Sequence, residues 1–279
     1  MKVLVETTWL AKNLKRKDIV IIDSSWHMPK ENKNSYKEYI NDHIPGSVYV
    51  DLDNLSDPES ILPHMLPSLE KFQTYMRKCG INNNSYVVIY DTKGLWSSPR
   101  LWWMFKYFGF KNVYVLNGGL KKWKNEKKVT TKKIIKKKCG NYKSYIVSKY
   151  LSNKKNVLKF LKSKDVKIVD ARSPERFIGK INEPRKGLRK GHIPNSVNIF
   201  WNNLIKKDGT LINDNEIRTI LKKYKINKKN QIISTCGSGM TACIITLALA
   251  KINFSSISVY DGSWSEWGSD NNLPINELK

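Results

Sequence analysis

The sequence predicts an α/β protein built as a tandem duplication, each unit a mainly parallel sheet covered by helices on both faces. Two observations predict the class. Short, wholly apolar runs such as Tyr86–Tyr90 read as strands buried on both sides, and they alternate with longer segments of helical periodicity. A third observation predicts the duplication. Four segments recur in the same order at offsets of 144–149 residues.

Residues 1–17 read as a short strand and a helix near 8–14. The run Ile19–Asp23 is a strand ending in a carboxylate, and Val166–Asp170 repeats it. His43-Ile44-Pro45-Gly46-Ser47-Val48 returns as His192-Ile193-Pro194-Asn195-Ser196-Val197. Tyr86–Tyr90 followed by Asp91 matches 231–235 followed by Cys236. Segment 113–119 with Trp123 matches 257–263 with Trp267. Helices are expected at 69–78 and 99–108 in the first unit, and at 216–223 and 241–251 in the second. The expected division is 1–122, a lysine-rich linker at 123–147, and 148–279. Within the linker, Ile134-Ile135 is strand-like.

At 279 residues the chain can bury two cores, and 40% hydrophobic content with nine tryptophans fits a folded protein. No apolar stretch approaches 18 residues, so no membrane span is expected, and no small-residue cleavage site follows the N-terminus. The expected location is cytoplasmic. Cys79, Cys139, Cys236 and Cys243 lack CxxC spacing, which argues for reduced thiols and against structural zinc. No metal or cofactor is expected. The net charge of +26 raises a nucleic-acid reading. The excess is lysine spread along the chain beside abundant asparagine, as codon bias produces on solvated faces. No nucleic-acid partner is expected.

Cys236-Gly237-Ser238-Gly239-Met240-Thr241 lies between an apolar strand and an apolar helix. At such a turn successive backbone N–H groups converge, and the helix start adds partial positive charge. That arrangement favours a reactive thiolate and holds an anion against the sulfur. Ordinary packing of a buried cysteine is the plain alternative. Cys79 and Cys243 read as packing residues and Cys139 as an incidental surface thiol. His43 and His192 share a duplicated motif, which points to a structural task at a turn.

Together the two HIP-x-SV segments, the Gly118-Gly119…Trp123 segment, Tyr260-Asp261-Gly262-Ser263-Trp264 and the Cys236 loop resemble the two-domain rhodanese-type sulfurtransferases. Within them, the branch that uses 3-mercaptopyruvate is most similar. The resemblance spans nearly the whole chain and implies two rhodanese-like domains, the first silent with Asp91 in place of the nucleophile. Thiosulfate-preferring relatives typically carry basic residues just after the cysteine; here Gly237 and Ser238 are uncharged. Met240 replaces a valine common in the mercaptopyruvate branch.

The resemblance implies sulfur transfer through a persulfide on Cys236, with the amides of Gly237, Gly239, Met240 and Thr241 around the substrate. It implies Arg176 and Arg185 as the donor-binding pair, since guanidinium forks suit a carboxylate. A proton relay of Ser238, His64 and Asp53 is implied, with Asp51 close enough to compete with Asp53. Arg172 and Arg189 read as structural. The expected partners are a small-molecule sulfur donor and an acceptor such as cyanide, a thiol or thioredoxin. A phosphatase would need Cys-x5-Arg, and that position is Ala242. Thiosulfate as donor, or a non-catalytic binding module, are the remaining alternatives.

Overall fold

The structure is a computed structural model and describes residues 2–277. The first unit comprises β1 (Leu4–Val5), α1 (Thr7–Asn13), β2 (Ile19–Asp23), α2 (Ser35–Asn41), β3 (Ser47–Tyr49), α3 (Leu52–Leu55), α4 (Leu69–Lys78), β4 (Tyr86–Tyr90), α5 (Ser98–Tyr107), β5 (Val113–Leu116) and α6 (Gly119–Asn125). The second comprises β6 (Leu151–Ser152), α7 (Lys154–Phe160), β7 (Val166–Asp170), α8 (Pro174–Phe177), β8 (Val197–Asn198), α9 (Asp214–Lys223), β9 (Gln231–Thr235), α10 (Ala242–Lys251), β10 (Ile257–Tyr260) and α11 (Ser263–Trp267).

Each unit holds a five-stranded sheet, ordered β1-β5-β4-β2-β3 and β6-β10-β9-β7-β8. Every strand pair in both is parallel. The registers correspond: Asp23 pairs with Tyr90, and Asp170 with Thr235. Both candidate loops therefore leave the carboxyl end of a central strand, where open parallel sheets bind ligands.

The two-residue period of the strands divides the core into layers. In β2, Val20 and Ile22 face one hydrophobic cluster, while Ile19 and Ile21 face another. In β9, Ile232 and Ile233 divide in the same way. The outer clusters are covered by Leu10, Leu120 and Trp123 in the first unit and by Val157, Trp264 and Trp267 in the second. The inner faces of both sheets belong to one shared cluster. Within it α5 packs against α10. Both helices are buried along almost their whole length, which explains why neither has a polar stripe. By contrast α4 and α9 are amphipathic and capped, by Ser68 accepting from Lys71 N–H and by Asn213 accepting from Glu216 N–H.

Two details differ from expectation. Helix α6 runs to Asn125, across the expected edge at 122, because Trp123 is buried and extends the apolar face. Ile134-Ile135 forms no strand, and Ile134 is exposed. The connecting segment is nonetheless anchored. Thr131 pairs with His43, Gly140 N–H donates to the Arg77 carbonyl, and Tyr142 is buried. Among the described residues no helix is long and apolar enough to cross a membrane.

Candidate active site

Cys236 follows β9 and is 2% exposed. Ser263, at the start of α11, sits beneath the loop with φ of +49°. Its hydroxyl accepts from Cys236 N–H (3.2 Å) and Gly239 N–H (3.1 Å) while donating to the Tyr260 carbonyl (2.8 Å). The Cys236 and Gly237 carbonyls accept from Trp264 and Ser265 N–H. These bonds fix the loop from below. The N–H groups of Gly237, Ser238, Met240 and Thr241 find no acceptor among the described residues. Buried amides without partners are costly, and a loop that leaves four unpaired is suited to an incoming anion.

Gly239 is needed for space, since a Cβ there would lie 2.9 Å from the Asp261 backbone oxygen, whereas at Gly237 only the end of an arginine side chain would have to shift. A Cβ on Gly237 would lie 2.9 Å from Arg176 Nη2, and one on Gly239 would lie 2.9 Å from Arg100 Nη1. Gly239 also has φ of +71°.

The two expected arginines are distinguished by their partners. Arg176, on α8, is neutralised by Glu183, with Nε 3.1 Å from Oε1 and Nη2 2.5 Å from Oε2. Glu183 also accepts from Arg172 Nη1 (2.8 Å), and Arg172 grips Asp170 through Nε and Nη2. The network runs from the end of β7 to the guanidinium over Gly237. Arg185 has no hydrogen bond or ion pair among the described residues. Burial pulls its pKa below the ordinary value; the nearby Cys236 opposes that, and Arg176 reinforces it. Arg185 thus forms no ion pair among the described residues, while Cys236, Glu183 and Asp53 all favour its charge through space. Arg172 is fully buried and stacks on Trp264 at 4.3 Å, and Arg189 donates to the carbonyls of Trp267, Gly268, Asp270 and Leu273.

The first unit supplies a histidine and a carboxylate. His64 Nδ1 lies 3.1 Å from Asp53 Oδ1, and Trp26 Nε1 donates to Asp53 Oδ2 at 2.9 Å. The Trp26 ring meets the imidazole edge-on at 4.8 Å. The Asp53 pKa is lowered, chiefly by the hydrogen bond with His64, although partial burial opposes it. Asp51 is engaged elsewhere: it caps α3, accepting from Asp53 and Asn54 N–H. His64 Nε2 is buried and without a partner. Ser238 is buried, but no hydrogen bond joins it to His64. Asp53 and His64 therefore meet, whereas the serine end of the expected relay is unmade.

The silent copy shows the same loop closed upon itself. Asp91 Oδ1 accepts from the N–H groups of Lys93 (2.9 Å) and Gly94 (2.8 Å). Its Oδ2 accepts from Trp96, Ser97 and Ser98 N–H at 2.9–3.0 Å and from the Ser98 hydroxyl at 2.6 Å. His43 and His192 hold equivalent turns, each through Nδ1 to a carbonyl, of Tyr39 and Phe177 respectively. Cys79 and Cys243 are buried and Cys139 is exposed. Burial pushes the Cys79 thiol up to about 12.

Sequence reasoning missed Arg100 and gave Asp261 no role. Arg100 Nη1 donates to Asp261 Oδ1 (2.6 Å) and to the Gly239 carbonyl (3.3 Å), and Nη2 donates to the His64 carbonyl. The partners lie 161 positions apart, so no local pattern announces them.

A cysteine at the strand end, open amides and a nearby cation make a site suited to a small anionic ligand. The Rhodanese-like domain model matches residues 6–126 and 153–270. The chain belongs to that family, in two copies, and is a sulfurtransferase of the two-domain kind. It is 37% identical to the Escherichia coli (strain K12) 3-mercaptopyruvate sulfurtransferase, across 99% of this chain and 98% of the relative. It is 36% identical to the Rattus norvegicus thiosulfate sulfurtransferase, across 95% and 92%. The crystal structure of an Escherichia coli 3-mercaptopyruvate sulfotransferase superposes with a TM-score of 0.86, at 34% identity over 95% of this chain and 99% of that one.

Proposed function

We propose that the protein moves sulfur from 3-mercaptopyruvate to a thiol acceptor through a persulfide on Cys236, releasing pyruvate. The Cys236 thiolate attacks the donor's sulfur, and the sulfur–carbon bond breaks. Its electron pair passes to carbon as the pyruvate enolate, which takes a proton to become pyruvate. An acceptor thiolate, cyanide or a protein thiol such as that of thioredoxin then attacks the outer sulfur and restores the Cys236 thiolate. The open amides of Gly237, Ser238, Met240 and Thr241 stabilise the sulfur anions. Arg185 holds the donor carboxylate, and Arg176, fixed by Glu183, borders the same space. His64, oriented by Asp53, carries the proton, with Ser238 bridging once substrate is bound.

The observation that carries this reading is Arg185, which forms no ion pair among the described residues and interacts through space with Cys236, together with a cysteine loop whose own side chains are uncharged. Relatives that use either donor are almost equally similar overall, so identity does not choose between them. The loop chemistry favours a monocarboxylate with a ketone over a dianion wanting extra cations. Steady-state rates with each donor test this. We expect kcat/KM for 3-mercaptopyruvate to exceed that for thiosulfate by about 10-fold or more, a difference of ~1.4 kcal/mol in transition-state binding. Parity between donors would overturn the assignment. Mass spectrometry of donor-treated protein should find the added sulfur on the Cys236 peptide.

A further inference from the structure

We infer that Arg100 and Asp261 form a positioning pair that sets His64 against the Cys236 loop; the inference rests on the relay role proposed for His64. Arg100 is the third residue of α5 in the silent copy, and Asp261 follows β10 in the active one. They are 0% and 3% exposed. The guanidinium holds three acceptors: the Asp261 carboxylate, the Gly239 carbonyl within the cysteine loop, and the His64 carbonyl. The second carboxylate oxygen of Asp261 accepts from Leu66 N–H at 2.8 Å. The pair therefore grips the backbone at His64 itself and two residues beyond it, and the cysteine loop at Gly239.

His64 needs such a grip. Its φ is +61°, a left-handed conformation uncommon for a residue with a Cβ, and bonds on either side of it help to hold it. Among the described residues the ring's ion-pair and aromatic partners are Asp53 and Trp26, both in the same unit, and Nε2 has no partner. The backbone bonds across the interface are what tie the ring's position to the nucleophile. Arg100 also stacks on Trp103 at 4.6 Å, which fixes the plane of its fork. Neither residue is placed to touch the donor, whose carboxylate is assigned to Arg185. Their effect is on geometry.

Asp261→Asn offers one acceptor and one donor where both partners, Arg100 and Leu66 N–H, are donors. One bond must break. Arg100→Lys keeps the charge but loses the fork. With 3-mercaptopyruvate, each variant should lower kcat about 10- to 100-fold with KM within about 2-fold, because proton delivery suffers and carboxylate binding does not. Persulfide formation from thiosulfate, which has no enolate to protonate, should change less than about 3-fold. In a His64→Ala background either substitution should cost less than about 2-fold more, since the pair acts through His64. Equal losses with both donors, or a full additional loss without His64, would show general damage and overturn the inference. Parent turnover is recorded first. Should the parent not use 3-mercaptopyruvate, the donor assignment alone fails, and hydrogen exchange at the Leu66 amide still decides the grip. Exchange about 10-fold faster in Asp261→Asn supports it, and an unchanged rate overturns it.

Discussion

The two copies carry one loop in two conditions. After β4, the Asp91 carboxylate turns into its own loop and takes the N–H groups of Lys93, Gly94, Trp96, Ser97 and Ser98. After β9, the amides of Gly237, Ser238, Met240 and Thr241 are without acceptors among the described residues. Below the loops the wiring is the same: Leu120 N–H meets the Asp91 carbonyl as Trp264 N–H meets that of Cys236. The silent copy thus displays what such a loop does with an anion, namely surround it with amides. The active copy keeps that capacity for a ligand. In the first copy those amides are permanently occupied by Asp91, with the scaffold intact.

The strand beside each loop differs in the opposite sense. Asp170, at the end of β7, is gripped by Arg172. Its counterpart Asp23 has no cation paired with it among the described residues; Ser25 donates its N–H and hydroxyl to one oxygen. Burial accordingly pushes the Asp23 pKa up to about 6. In the second copy that cation belongs to the chain Asp170–Arg172–Glu183–Arg176, which ends over Gly237.

The sharpest way to break the loop comparison is Cys236→Asp, which gives the active loop the silent one's side chain. Transfer should fall by more than about 1,000-fold, as expected for loss of a nucleophile, while the melting temperature stays at or above the parent's. A clear loss of stability would mean that the open amides are not an anion cradle. Asp91→Ala is the converse. It strands the amides that the carboxylate now satisfies, and chemical denaturation should show a loss of about 3 kcal/mol, against under ~1 kcal/mol for Cys236→Ala. Similar losses at the two positions would sink the distinction.

Smaller effects sharpen the rest. Arg185→Ala should raise KM for 3-mercaptopyruvate about 10- to 100-fold, because it removes the cation proposed to hold the donor carboxylate. An unchanged KM would take Arg185 out of donor binding. The weakest effect concerns Asp23. Its folded pKa lies above the unfolded value, so the native state binds a proton that the unfolded chain has released. Stability should therefore fall as pH rises from about 4 through 6 and then level off, by an amount on the order of 2 kcal/mol from this group. Asp23→Asn should flatten that part of the stability curve measured by urea denaturation; an unaltered slope would assign it to other groups.

Much of this was legible in the sequence, for identifiable reasons. The strands are apolar on both faces, so β2, β4, β7 and β9 announce themselves, and capped amphipathic helices such as α4 do likewise. The duplication exposes Asp91 as the partner of Cys236. Asp53 and His64 lie within one short segment, and the structure brings them together while assigning Asp51 to a helix cap. What stayed hidden depends on long-range approach. Arg100 sits in a helix otherwise made of core residues, and nothing nearby indicates its partner Asp261. Glu183's pairing with two arginines is equally invisible, because a carboxylate in a loop reads the same whether exposed or shared. Nor does a sequence show that Ser238 stops short of His64.

The hydrophobic cluster common to both halves also governs how the molecule comes apart. Its residues are drawn from α5 and α10 alike, so melting one half strips cover from the other. Heat or denaturant should meet a single cooperative body, in spite of the two sheets. The catalytic half cannot be excised as a free-standing unit without exposing the buried α10, whose apolar surface would seek other chains. The first half therefore supplies one wall of the second half's core.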